Sequence, residues 1–219
     1  PVTVEEILHD SAYLPLRKSP GPDRIPNAFY KTFSAIVAKV LNESHTRGTL
    51  PTTMTEGIIS VLFKKKERND PRNYRPIILL NCDYKILMRI LTARMNKAVV
   101  QFVSKDQNGF FPGAFIAENL MRLKDYIEDE NQEALFIFLD MEKAFDRCSW
   151  EFLTEGLEKI GYGFDETFVD YVKLAYSHDH PPTRMMYVNG YLGPKFHLGS
   201  GVAQGFPLSP LLFLIITEP

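Results

Sequence analysis

Apolar residues recur at helical spacing after Pro26, where Phe29, Phe33, Ile36, Val37, Val40 and Leu41 predict one helix over 27–47 with Gly48 as its stop. A shorter helix is expected around Glu5–Leu8, and the proline- and glycine-containing run Ser19–Asp23 keeps the two apart. Ile58–Phe63 is apolar and rich in β-branched residues and Tyr74–Ile78 follows a polar turn, so two strands joined by a basic loop are predicted. Asp83 stands where it can cap a helix carrying Ile86, Leu87, Ile90, Leu91, Met95 and Val99, with Lys85 and Arg89 on its polar side. Ala134–Leu139 is wholly apolar and stops abruptly at Asp140, the pattern of a buried strand that delivers a carboxylate at its end. Ser149 and Asp165 are placed to cap two further helices, the first with Phe152, Leu153, Leu157 and Ile160, the second with Phe168, Val169, Val172 and Tyr176. Met185–Val188 and Tyr191–Leu198 flank Asn189-Gly190, whose two residues accept the positive φ angles of a tight hairpin turn. The glycine-rich run 199–205 then leads to Ser209-Pro210, a cap followed by proline at a helix start.

Composition narrows the class. With 219 residues and 45% apolar content the chain can bury a core, as one large domain or two small lobes, which argues against disorder. The longest apolar run, Leu211–Ile216, is far short of the ~20 residues that span a bilayer, so no membrane association is expected and the protein reads as intracellular, nucleus or cytoplasm left open. Cys82 and Cys148 stand alone and far apart, which leaves neither a zinc knuckle nor a disulfide enough partners. The net charge of −2 hides an uneven distribution: Lys64–Lys105 carries a balance of +8 and Glu118–Asp146 one of −6. One surface could hold polyphosphate and another cations, although solvated helix faces collect charge in the same way.

A strand-end carboxylate such as Asp140 suits Mg²⁺, which binds through one or two protein oxygens plus substrate phosphates, but the same placement serves a turn or a helix cap. Its neighbours sharpen the choice. The run Phe138-Leu139-Asp140-Met141-Glu142-Lys143-Ala144-Phe145-Asp146 is preceded by Gly21-Pro22-Asp23, by Ile59–Lys65 with Asn73-Tyr74-Arg75-Pro76-Ile77-Ile78, and by Gln107-Asn108-Gly109-Phe110-Phe111-Pro112-Gly113 with Asn119. It is followed by Gly201-Val202-Ala203-Gln204-Gly205-Phe206-Pro207-Leu208-Ser209-Pro210. In this order, over nearly the whole chain, the segments resemble the reverse transcriptase domain of LINE-type (non-LTR) retrotransposons.

The resemblance implies an α/β (α+β) fold of the polymerase right-hand kind, with a fingers region over 1–130 and an incomplete palm over 131–219, built as a mixed or antiparallel sheet with packed helices. It implies an RNA template, a DNA primer and deoxynucleoside triphosphates as partners, and two Mg²⁺ ions in the intact site. Asp140 would be the first metal-binding carboxylate, with the Met141 carbonyl beside it, and Phe145 the gate beneath the sugar. Arg75 and one of Lys64 or Lys65 would hold the triphosphate, Gln204 and Gly205 would border the nucleotide, and Gln107, Phe110 and Asn119 would lie on the template side. Without the family, each has a plainer reading: core filler for Phe145, surface ion pairing for Arg75, a solvated loop for the lysines, a turn for Gln204. Relatives complete the metal site with two adjacent aspartates on a later hairpin, and no Asp-Asp pair occurs in this sequence. The 219 residues are therefore expected to end before the catalytic centre is complete, to be inactive alone, and to leave the strand near Phe136 without a neighbour and prone to association. Ala114 and Ala203 stand where relatives often carry arginine, and Phe206 where many carry cysteine, which weakens the expected phosphate contacts. The alternative expectation is a catalytically dead, nucleic-acid-binding remnant.

Overall fold

The computed structural model describes residues 1–12, 19–129, 135–159 and 164–217. Eight helices and four strands are found among them: α1 Val4–Ala12, α2 Asn27–Thr32, α3 Ser34–Arg47, β1 Gly57–Phe63, β2 Tyr74–Leu80, α4 Cys82–Val99, α5 Ala117–Glu128, α6 Trp150–Lys159, α7 Glu166–Ala175, β3 Thr183–Val188, β4 Tyr191–His197 and α8 Ser209–Thr217. The strands form one mixed sheet in the order β2-β1-β3-β4. β1 runs antiparallel to β2, from Gly57 opposite Leu80 to Phe63 opposite Tyr74, and parallel to β3, with Gly57 beside Arg184 and Ser60 beside Tyr187. The sheet thus draws two strands from each side of residue 130. The mixed α/β architecture agrees with the sequence expectation.

α4 is the central element. Ile86, Leu87, Met88, Ile90, Leu91, Met95 and Val99 are all buried along it, a stripe wide enough to pack α1 and α2 on one side and α8 on the other. Its start differs from the prediction. The flanking cap position is Asn81, and Asp83 lies inside the first turn, its carboxylate accepting from the Tyr84 amide at 2.7 Å. Asn81 is occupied elsewhere: its side-chain oxygen accepts from the Asp23 amide at 3.1 Å and its amide donates to the Thr53 carbonyl at 2.6 Å. The predicted single helix over 27–47 is broken at Phe33, whose φ of −110° and ψ of 32° belong to neither helix. Its buried stripe is Tyr30, Ser34, Val37, Ala38, Leu41 and Ser44, while Phe29, Phe33, Ile36 and Val40 face outward. Tyr30 is pinned from outside the helix by its hydroxyl donating to Asp23 at 3.1 Å. Gly48 does end α3, in the left-handed region.

Ser149 and Asp165 cap as expected, accepting from the Phe152 and Thr167 amides. The β3–β4 turn has φ of 51° at Asn189 and 87° at Gly190, as its sequence requires. Pro194 sits where the β3–β4 register slips by one residue, a place where its missing N–H removes no ladder bond. At α8 the helix already includes Ser209, whose hydroxyl donates to the Ala203 carbonyl at 2.8 Å instead of capping. α5 goes beyond the sequence expectation, although Ile116, Leu120, Leu123 and Ile127 do repeat at helical spacing.

The largest departure concerns the strand predicted over Ala134–Leu139. Ala134 lies outside the described residues, as does Ile160, and residues 135–142 carry no regular structure. Leu135 and Leu139 are 86% and 89% exposed. A strand exists only if its amides and carbonyls find a ladder partner, and among the described residues none lies beside this run. Among the described residues no helix is long and apolar enough to cross a membrane, and Cys82 and Cys148 are free thiols that burial pushes above the usual thiol range.

Candidate functional site

Chemistry-bearing residues converge where the segment after Asp140 meets the loop before α8. Ala144–Arg147 forms one 3₁₀ turn, entered through Lys143 in the left-handed region at φ 53°. The Phe145 ring is stacked on Phe213 of α8 at 5.3 Å between centroids and meets Phe110 edge-on at 6.4 Å. Its backbone is fixed as well. The Val202 amide donates to the Phe145 carbonyl and the Gly201 amide to the Cys148 carbonyl, both at 2.8 Å. Gly201 has φ of +87°, and a β-carbon there would stand 3.0 Å from the Asp146 carbonyl oxygen, so the position needs glycine on both counts. The Trp150 indole N–H, buried, donates to the Gly201 carbonyl at 2.7 Å.

The next turn of the loop presents Gln204 and Gly205 to solvent, Gly205 at φ +90°. Behind them Phe206 is buried and meets the Tyr84 ring edge-on at 4.9 Å. Tyr84 in turn donates to the Ala175 carbonyl at 3.0 Å, and burial pushes its hydroxyl up to about 12, so it stays a neutral donor. A cleft of about 330 Å³ runs between this loop and the sheet, lined by Ile59, Pro76 and Ile78 on one wall and by Asp146 and His197–Gln204 on the other.

Other predicted residues stand apart from this convergence. Arg75 is exposed and pairs in register with Leu62, so strand alternation sets it with Ile77 on the sheet face opposite Pro76 and Ile78. Lys64 and Lys65 are exposed at the tip of the β1–β2 hairpin, next to Lys66 in the left-handed region. Asp140 and Met141 lie in the exposed run without regular structure. Among the described residues no three His, Cys, Asp or Glu side chains stand where they could share an ion. One carboxylate with one neighbouring carbonyl does not fit a two-ion magnesium site.

The template-side prediction names residues that hold one loop together. Gln107 accepts from the Gly109 amide at 3.2 Å, and the Asn108 amide donates to Asn119 of α5 at 2.6 Å. Phe110, at φ 70° and 55% exposed, is presented by that loop. Sequence reasoning missed Trp150 and Tyr84 as parts of the site, and quoted Gly201 and Ser209 within the loop segment without giving either a role. Trp150 carried the one available signal, being the single tryptophan of the chain.

The family model described as reverse transcriptase (RNA-dependent DNA polymerase) matches residues 63–219. Along its whole length the chain is 31% identical to the transposon TX1 uncharacterized 149 kDa protein of Xenopus laevis, of which it spans 17%. It is 30% identical to the probable RNA-directed DNA polymerase from transposon BS and to the RNA-directed DNA polymerase from mobile element jockey, both of Drosophila melanogaster, over 99% of the chain and 24% of each relative. The chain therefore spans a quarter or less of the length of these relatives.

Proposed function

Since the chain belongs to the reverse transcriptase (RNA-dependent DNA polymerase) family and is related to the enzymes of non-LTR retrotransposons, we propose that it supplies the fingers, over 1–130, and the first part of the palm, over 131–219, of an RNA-directed DNA polymerase. The observation that carries this reading is the joining of the Phe145 turn to the 200–205 loop, which brings two distant segments of the resemblance into one site. In the reaction a primer 3′-hydroxyl attacks the α-phosphorus of a deoxynucleoside triphosphate and pyrophosphate leaves. Phe145, braced by Phe213, bounds the sugar, and Gln204 and Gly205 border the nucleotide. Arg75, a planar fork on the sheet face away from the cleft, and Lys64 or Lys65, a mobile charge at the hairpin tip, would meet the triphosphate only on movement of the β1–β2 hairpin toward the pocket. Phe110, held by the Gln107 and Asn119 contacts, faces the template side. Asp140 is the one carboxylate that the resemblance assigns to a metal, and by itself it does not complete a site for one. A polypeptide of these 219 residues alone does not extend a primer, because the sequence holds one such carboxylate and no aspartate pair.

A second reading, a nucleic-acid-binding module without catalysis, is favoured by the exposure of Lys64, Lys65 and Lys66 at one hairpin tip. Both readings require a polyanion on this surface. Binding of an RNA template annealed to a DNA primer should weaken with salt, and neutralising Lys64, Lys65 and Arg75 together should reduce the slope of log K against log salt by up to about three. An unchanged slope would count against both; added Mg²⁺ and nucleotides separate them only in a longer chain that carries the aspartate pair.

A further inference from the structure

The Phe145 turn and the 200–202 loop are joined at more points than a surface loop needs. Phe145 accepts from Val202, Cys148 accepts from Gly201, and the Trp150 indole donates to the Gly201 carbonyl, all within 2.7–2.8 Å. Trp150 is 1% exposed and packed against Tyr176 and His178, so the segment after α7 holds the indole in place independently of any ligand. The Gly201 peptide is then fixed from both sides: its amide is bound to the Cys148 carbonyl and its carbonyl to the indole. The Val202 amide that follows sets the carbonyl of Phe145. Displacing Gly201 therefore displaces Phe145 relative to Gln204.

We propose that Trp150 is a positioning residue for sugar selection, acting through Gly201 to set the spacing between the Phe145 ring and the Gln204–Gly205 turn. The inference rests on the reading of Phe145 as the boundary of the nucleotide sugar. Discrimination against a 2′-hydroxyl is a matter of small displacements, whereas affinity for the base and triphosphate depends on other groups. Loosening the indole contact should therefore lower selectivity before it lowers affinity. Trp150→Phe retains an aromatic ring in the pocket but removes the N–H, leaving the Gly201 carbonyl without that donor. Gly201→Ala reaches the same peptide from the other side, since the added β-carbon meets the Asp146 carbonyl.

The test is equilibrium binding of dGTP and of GTP to the 219-residue chain with Mg²⁺ and an RNA–DNA template–primer whose next template base is cytosine, alongside amide hydrogen exchange at residues 201 and 202. Wild type should prefer dGTP, and Phe145→Ala should abolish that preference. Trp150→Phe should lower the preference about fivefold, the scale of one buried hydrogen bond, with dGTP affinity changed less than twofold and faster exchange at both amides. If Phe145→Ala abolishes the preference while Trp150→Phe and Gly201→Ala keep it, the positioning role is overturned and the gate reading stands. If wild type shows no preference or Phe145→Ala keeps it, the gate reading falls and takes the inference with it. Should Trp150→Phe fail to fold by circular dichroism, Gly201→Ala decides on the same criteria.

Discussion

Asp83 sits in the first turn of α4 beside Asp23, and burial together with that like charge raises its carboxyl from the ordinary range to about 6. The folded chain therefore keeps a proton on Asp83 up to a pH at which the unfolded chain has already lost it. Stability should fall as pH rises between about 4 and 6, with the full cost present at neutral pH. Asp83→Asn keeps an acceptor for the Tyr84 amide and removes the charge, so we expect it to stabilise the protein by about 1–2 kcal/mol at pH 7. It should also flatten the dependence between pH 4 and 7 in urea unfolding; an unshifted midpoint would refute this. The residue scale is also where sequence alone reads least well. Asp83 looks like a cap, whereas the flanking position is Asn81, whose side chain is held against the Gly21–Asp23 segment so closely that a β-carbon on Gly21 would stand 2.1 Å from its oxygen. That contact spans 60 positions of the chain, so no local pattern carries it.

Elements with a strong period or strong turn chemistry were legible. The Asn-Gly hairpin, the strand pair before α4 and the capped helices α6 and α7 each follow from adjacent residues, and each forms where predicted. The break at Phe33 was not legible, because the apolar period runs through it unbroken and the Tyr30–Asp23 bond beside it is no part of that pattern. Nor was the seating of α1, which rests on α4 through a bidentate pair: Arg94 donates to both oxygens of Glu6 at 2.8 Å and to the Pro1 carbonyl at 2.7 Å. Burial works to raise the Glu6 carboxyl, but the hydrogen bonds and charge of Arg94 outweigh it and hold the group below its ordinary value. A lowered folded value contributes stability above the unfolded one and loses it as pH falls through the folded one. Arg94→Ala should therefore cost about 1–2 kcal/mol at pH 7. The cost should shrink on acidification below pH 4 and be visible as faster amide exchange in α1. Equal cost at pH 3 and pH 7 would show that packing, and not the ion pair, seats the helix.

Across the whole molecule, the mixed sheet with packed helices was foreseen as a class, and the pairing of β3 with β1, whose partnered residues lie 127 positions apart, was not. The apolar run ending at Asp140 is the instructive case. Its composition reads as a buried strand, yet Leu135, Ile137, Phe138, Leu139 and Met141 are exposed, as are Leu120 and Ile127 on α5. A buried strand is a property of its neighbours as much as of its own residues, and the pattern could name the strand without supplying them. So much apolar surface should make the 219-residue protein associate, with Phe138→Asp and Leu139→Lys together restoring a monomer by light scattering. A concentrated, monodisperse wild-type monomer would contradict that.

The central claim is that the Phe145 turn and the 200–205 loop form the nucleotide pocket of a reverse transcriptase. Photo-crosslinking with an azido-deoxynucleoside triphosphate on a template–primer complex, with the adducts mapped by mass spectrometry, tests it most directly. The account predicts adducts confined to the Ala144–Arg147 turn, residues 200–206 and the cleft-facing Ile59, Pro76 and Ile78, suppressed by excess unmodified nucleotide. Adducts that escape competition, or that fall instead on the α5 cleft lined by Asp106, Arg122 and Asp125, would contradict it.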